Sequence, residues 1–275
     1  MDSAYYLPRS RPDDAPDFEY FRPTDATGGP WVPGIQHGGP PTGLLTRALR
    51  RAATTLPGPM QFTRITVEIL GPVGLDVNRV RAQVIRPGRR IAMVAADLEV
   101  RGPDGTFRPA ARAVAWLMRP ADTTAIVRVP VEPLTPTPDA LTTTPGVSQG
   151  GVRWEPTGFI GSLTSAVVPG ATGVPAMWLR PEIDLVDGEP ITDLESIMTV
   201  VDVANGLGTQ LDTSAWTWMN TDTTVHFTTV PQGPWLGIDA ELAAGPSGFG
   251  TTFADLYDAR GFIGRSAQTA LLDRR

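Results

Sequence analysis

Apolar and polar residues alternate along much of this chain, and a helical rhythm interrupts them. Leu44, Leu45, Ala48, Leu49 and Ala52 recur at i, i+4 and i+8, which predicts a helix with one buried face. It is entered through Gly38-Gly39-Pro40-Pro41 and stopped by Pro57-Gly58-Pro59. Ile65-Thr66-Val67-Glu68-Ile69 then reads as a strand. Further on, Ala96, Leu98 and Val100 alternate with Asp97, Glu99 and Arg101 before the hairpin signal Gly102-Pro103-Asp104-Gly105. A three-strand run closes at Arg112-Ala113-Val114-Ala115-Trp116. The same order then returns: Val200 to Leu207 is expected to open a helix, Thr223 to Phe227 a strand, and 235–242, 249–257 and 262–272 three more strands. Matching helix, strand and last strand gives offsets of 163, 158 and 156 residues. Repetition at this scale predicts an α+β fold in which one helix lies against a curved antiparallel sheet, twice.

Six prolines between Arg119 and Gly151 (120, 130, 133, 136, 138 and 145) predict an extended connector. The expected organisation is therefore a first unit at 1–118, including an arm over 1–34, a linker at 119–151, and a second unit at 152–275 that starts near Trp154.

Charge and composition narrow the chemistry. A net charge of −6 gives no basic excess for a phosphate backbone, so nucleic acid is not an expected partner. The absence of cysteine removes thiol nucleophiles and thiolate metal sites, and the absence of lysine removes Schiff-base chemistry. No apolar run approaches the roughly 18 residues of a membrane span, and residues 1–16 are polar and proline-broken; a cytoplasmic protein is the expectation. His37 and His226 are the only histidines and lie in no ligand-spaced cluster, so no metal is expected. Gly146-Val147-Ser148-Gln149-Gly150 spells GxSxG, but Thr142 to Pro145 before it and Gly151-Val152-Arg153 after it lack the strand and helix that a nucleophile elbow requires.

Comparing the twin patterns singles out a small set of residues. At the offsets above, Gly39, Phe62 and Arg112 of the first half stand where the second has Asp202, Asn220 and Gln268. Each has an ordinary reading: a helix cap for Asp202, a turn residue for Asn220, a paired or solvent-facing amide for Gln268. Together they put one carboxylate and two amides into the second unit alone, which implies one chemical site per chain. Gly206 and Gly208 weaken their helix and are expected where a ligand or another backbone comes close, and His37 before Gly38-Gly39 is a candidate cavity residue.

At these residues the chain resembles the double-hotdog acyl-CoA thioesterases of the thioesterase II group. The carriers are Gln36-His37-Gly38-Gly39-Pro40-Pro41, Trp178-Leu179-Arg180-Pro181, Asp202-Val203-Ala204-Asn205-Gly206, Asn220 to His226, and Gly264-Arg265-Ser266-Ala267-Gln268. The resemblance implies two fused hotdog units and hydrolysis of an acyl-CoA to a free acid and CoA, without cofactor. It implies that Asp202, Asn220 and Gln268 hold and activate a water, with Asn220 standing where the family has a serine or threonine. His37, Gly38, Gly39, Asn205 and Gly206 would contact the substrate, backbone N–H groups at a helix start would face the oxyanion, and the CoA phosphates would need arginines such as Arg47, Arg50, Arg51, Arg89 or Arg90, charges that equally fit a solvated surface. Two rival readings remain: a non-catalytic acyl-CoA or lipid binder, and an enoyl-CoA hydratase of the same fold, which would want an Asp/His pair on one hotdog helix, where Asp202 has no nearby histidine. Whether such chains pair into homodimers stays open.

Overall fold

A computed structural model describes residues 2–11, 15–30, 32–149, 152–153, 157–168 and 174–275; Trp154, expected near the start of the second unit, lies outside them, as does Gly150 of the GxSxG string. The first half supplies β1 (Ala4–Arg9), β2 (Glu19–Pro23), α1 (Gly39–Ala53), β3 (Gln61–Ile69), β4 (Asn78–Arg86), β5 (Ile91–Arg101) and β6 (Phe107–Met118). The second half contributes β7 (Thr144–Pro145), the single turn α2 (Gly158–Gly161), β8 (Leu163–Val168), β9 (Ala176–Pro181) and β10 (Asp184–Val186). It continues with α3 (Asp193–Val200), α4 (Ala204–Leu207), β11 (Trp216–Asn220), β12 (Asp222–Phe227), β13 (Leu236–Ala244), β14 (Phe249–Asp258) and β15 (Gly261–Arg274). Ser148–Gln149 forms a separate two-stranded ribbon with Val152–Arg153.

The fifteen strands make one sheet in the order β10-β1-β2-β4-β5-β6-β3-β12-β15-β14-β13-β9-β8-β7, with β11 adding to β15. Among the described residues only the β1–β10 pairing is parallel. β9 and β10 lie toward opposite ends of that order, yet only Glu182 and Ile183 separate them, so the sheet curls until its ends approach. Leu44, Leu45 and Leu49 of α1 are fully buried inside the curl with Ile65, Val94, Leu98, Ala115 and Leu117, each leucine contributing about 1.5–3 kcal/mol of transfer free energy.

The halves meet at β3 and β12, where Thr66 lies opposite Thr224 and their hydroxyls are 3.2 Å apart. These two threonines are also related by the offset of 158, so the pair marks an approximate two-fold axis. That offset persists from Asn78 to Leu236 and from Ile91 to Phe249, the starts of β4/β13 and β5/β14. It fails at the last hairpin, where five residues (102–106) link β5 to β6 but two (259–260) link β14 to β15. Val114 faces Thr66 while Ala267 faces Thr224, which makes the final offset 153, not 156. A three-residue error turns a strand position to the other face. The counterpart of Gln268 is therefore Ala115, which is buried, and not Arg112, which is exposed and paired with Asp97 at 2.8 Å.

The second helix also begins elsewhere than expected. Thr192 and Glu195 form a reciprocal capping box, the Glu195 N–H donating to Thr192 Oγ1 at 3.4 Å and the Thr192 N–H to Glu195 Oε2 at 3.0 Å. The run starts at Asp193, tightens to a 3-10 turn over Val201–Val203, and resumes as α4. Asp202 sits in that late turn and caps nothing. Helix start against helix start, Asp193 with Gly39, gives an offset of 154, which puts the buried Ala48 in the place of Asp202.

The proline-rich segment is more than a spacer. Leu134 packs with Trp178 and Tyr257 in a second apolar cluster, and Trp178 Nε1 donates to the Pro136 carbonyl at 3.0 Å.

Candidate functional site

A cavity of about 350 Å³ opens at the seam between the halves. Val67, Ile69, Val73 and Ala111 of the first half and Ile160 and Val203 of the second give it apolar walls. Six of the eight residues singled out from the sequence line it: His37, Gly38, Asp202, Asn205, Gly206 and Asn220. Gly39 does not. A side chain there would run into Phe159 and the Thr199 carbonyl, so this glycine lets α1 close onto its neighbours. Gln268 does not line the cavity either; it is fully buried behind Asp202.

The Asp202 carboxylate is the hub. Its Oδ1 accepts from Asn220 Nδ2 at 2.7 Å, from Thr223 Oγ1 at 3.3 Å and from Gln268 Nε2 at 3.4 Å. Gln268 Nε2 also donates to Thr223 Oγ1 at 2.9 Å and to the Asp202 carbonyl at 3.3 Å. The donors converge because β11, which ends at Asn220, and β12, which carries Thr223, both pair with β15, which carries Gln268, while the turn carrying Asp202 lies over them. A carboxylate that is 5% exposed needs such donors, since an uncompensated buried charge is costly.

Thr223 was missed in the sequence. Asn220 reaches Asp202, and a threonine hydroxyl, three residues further on, also stands between Gln268 and Asp202. The signal was the strand alternation itself, in which Thr223 and Val225 share the inward face and Thr224 and His226 do not.

The other side of the carboxylate meets His37. Its Nδ1 is 3.3 Å from Asp202 Oδ2 and also 3.1 Å from the Gly39 N–H, which donates to it. One nitrogen cannot give a proton to Asp202 and accept one from Gly39 at once, so the two contacts alternate with the imidazole tautomer. Burial holds the His37 pKa below its ordinary value of 6.5, and the Asp202 charge opposes that shift without overcoming it. Sequence reading found no histidine near Asp202; the fold brings one across from the other half. Gly38 makes this approach feasible, because a Cβ there would lie 2.6 Å from Asp202 Oδ2.

No helix starts at Asp202 itself; the helix start beside its carboxylate is that of α1, whose N-cap Gly38 lines the cavity. The arginine expectation is corrected. Arg47, Arg50 and Arg51 are engaged with Glu19, Glu189 and Glu195, and Arg47 is only 3% exposed. Arg89 and Arg90 lie by Met118, which pairs with Gln61 at one end of β3, whereas the cavity takes in Ile69 at the other end, roughly 25 Å along the strand. At the rim itself stands Arg108, whose Nη2 donates to the Pro72 carbonyl at 3.0 Å. Among the described residues no group of three or more His, Asp or Glu is arranged to hold a metal, and no helix is long and apolar enough to cross a membrane.

Known proteins give the same picture at family level. Residues 27–118 match the family profile of the acyl-CoA thioesterase N-terminal domain, and residues 131–272 that of the acyl-CoA thioesterase C-terminal domain. A comparison with curated proteins finds no match. Among solved structures, a Novosphingobium aromaticivorans protein provisionally described as a thioesterase is similar at 20% identity, covering 98% of each chain with a TM-score of 0.69. A hot dog fold protein of Alicyclobacillus acidocaldarius aligns at 14% identity over 94% of each chain, TM-score 0.66. An acyl-CoA thioesterase II of Mycobacterium marinum aligns at 12% identity over 94% of this chain and 92% of its own, TM-score 0.63. At such identities the likeness speaks for the fold, two hotdog units in one sheet; with the two domain matches, the chain belongs to the acyl-CoA thioesterase family.

Proposed function

We propose that the protein hydrolyses an acyl-CoA thioester to a free acid and CoA, using a water activated by Asp202. The observation that carries this is the buried Asp202 carboxylate on the wall of an apolar cavity, with three donors committed to its Oδ1. Those donors fix the carboxylate's plane and leave Oδ2 as the proton acceptor in the His37 tautomer whose Nδ1 accepts from the Gly39 N–H. Asn220 spends its Nδ2 on Asp202, which turns its carbonyl oxygen to the task of holding the same water. The water oxygen attacks the thioester carbonyl while Asp202 takes its proton; the tetrahedral oxyanion collapses, the C–S bond breaks, and the proton passes from Asp202 to the departing thiolate. No covalent acyl-enzyme forms. Gln268 and Thr223 touch the carboxylate and not the cavity, so their part is positioning. The acyl chain occupies the apolar walls, and Arg108, which makes no ion pair among the described residues, meets a CoA phosphate at the rim.

A merely binding site was the alternative because a hydroxyl was lacking at Asn220; the Thr223 hydroxyl, 3.3 Å from Asp202 Oδ1, supports turnover instead. Thiol release from a panel of acyl-CoAs tests the reading: turnover by the wild type and its loss in Asp202→Asn support it, while acyl-CoA binding without turnover overturns it. Loss of enoyl absorbance in the same panel would instead favour hydration by the Asp202 and His37 pair.

A further inference from the structure

We infer that Asn205 is the side-chain donor that holds the thioester oxygen as it becomes an oxyanion; the inference rests on the thioesterase reading. Hydrolysis needs a donor aimed at that oxygen as well as a held water. The helix run that carries Asp202 starts at Asp193 and offers no free N–H groups of its own there, so beside the α1 start a side-chain donor is sought on that run. Asn205 lies three residues after Asp202 on the same helical run, so the two side chains leave the same face about 5–6 Å apart. Both line the cavity.

Asn205 is 5% exposed, and its amide has a defined orientation: Oδ1 accepts from Thr252 Oγ1 at 3.3 Å. That leaves Nδ2 with no hydrogen-bond partner among the described residues. It is not sealed in, however. The buried side-chain atoms without a partner include Gln268 Oε1 and Ser266 Oγ but not Asn205 Nδ2, so this NH₂ group opens onto the cavity. The neighbouring amides are already committed, Asn220 Nδ2 to the Asp202 carboxylate and Gln268 Nε2 to Thr223 and Asp202. A nearly buried donor without a partner carries a desolvation cost that an oxyanion would offset. Thr252 explains why the amide faces this way: it is fully buried in β14, opposite Gln268, and presents its hydroxyl upward to the helix. When the C–S bond breaks and the carbonyl re-forms, the donor keeps a weaker bond to the acid product.

The experiment compares wild type, Asn205→Ala and Asn205→Asp; the aspartate keeps the size of the side chain and can still accept from Thr252, but presents oxygen to the cavity. Expected is a fall in kcat of about 10²–10³-fold in both variants, with KM changed by less than about threefold. Affinity for a CoA trifluoromethyl ketone, which forms a tetrahedral adduct, should fall in parallel, while affinity for a CoA thioether that lacks the carbonyl stays as in wild type. Thr252→Val retains the donor and should keep kcat within about tenfold, which a merely structural role for this contact would not allow. Wild-type kcat in Asn205→Ala, or equal weakening of both analogues, overturns the inference and leaves the thioesterase reading standing. A wild type that binds acyl-CoA without releasing thiol overturns that reading instead.

Discussion

Two rows of three residues, one in each half, hold corresponding places in the sheet and differ in polarity at every position. In the second half Thr223, Gln268 and Thr252 lie side by side across β12, β15 and β14, all at most 1% exposed, beneath Asp202 and Asn205. In the first, the register puts Ile65, Ala115 and Val94 in the same places across β3, β6 and β5, fully buried beneath Ala48. The backbone is the same and the side chains are of comparable size at the threonine positions, so the sheet itself does not dictate polarity. What permits a polar row is pairing within it and with the helix above, Gln268 Oε1 being the exception. Gln268 bonds Thr223 and Asp202, Thr252 bonds Asn205, and Asp202 collects the remaining donors. The apolar row costs nothing to bury and can do no chemistry.

The sharpest way to break this contrast is to neutralise its hub. Asp202→Asn keeps the shape of the side chain and removes the base; kcat for thiol release should fall about 10³-fold with the melting temperature held or raised, since a buried charge is gone. Copying one polar residue into the other row should fail for want of partners. Ala115→Gln would bury an amide between Ile65 and Val94 and is expected to cost about 3 kcal/mol of stability in chemical denaturation, with turnover per folded molecule retained. The converse change, Gln268→Leu, removes one of three donors to Asp202 together with the unpartnered Gln268 Oε1. Turnover should drop about 10- to 100-fold while stability stays level or rises, and a clear loss of stability would mean that the glutamine holds the fold and not the carboxylate.

The smallest effect concerns His37. Its pKa is lowered in the folded state chiefly by burial, so the unfolded chain binds the proton more readily. Stability is therefore complete above the ordinary value of 6.5 and is lost as pH falls below it, by at most about 1.4 kcal/mol per pH unit from this group. Denaturation curves between pH 7.5 and about 5.5 should show that loss in wild type and a shallower one in His37→Asn.

Much of this contrast was legible before the fold was known, and the parts that were not have specific causes. The 158-residue relation held through three strands because their loops are equal in length. The unequal last hairpin then moved the counterpart of Gln268 from Arg112 to Ala115, and no residue pattern announces a change in loop length. The capping box at Thr192 and Glu195 is present in the sequence, ahead of Val200, where the helix was expected to open. Thr223 was hidden inside Thr221-Asp222-Thr223-Thr224, where only the inward alternation distinguishes it. The His37 contact with Asp202, and the engagement of Arg47 by carboxylates, cross the seam between halves and are tertiary facts that local sequence does not encode.

The central claim, one water-activating centre per chain and only in the half with the polar row, is met most directly by a crystal structure with a non-hydrolysable acyl-CoA thioether. The account predicts one analogue per chain, its sulfur-bearing carbon beside Asp202 and a water bridging Asp202 and Asn220. An analogue seated over Ile65, Ala115 and Val94, or an occupied cavity whose ligand leaves Asp202 out of reach of both carbon and water, would contradict it.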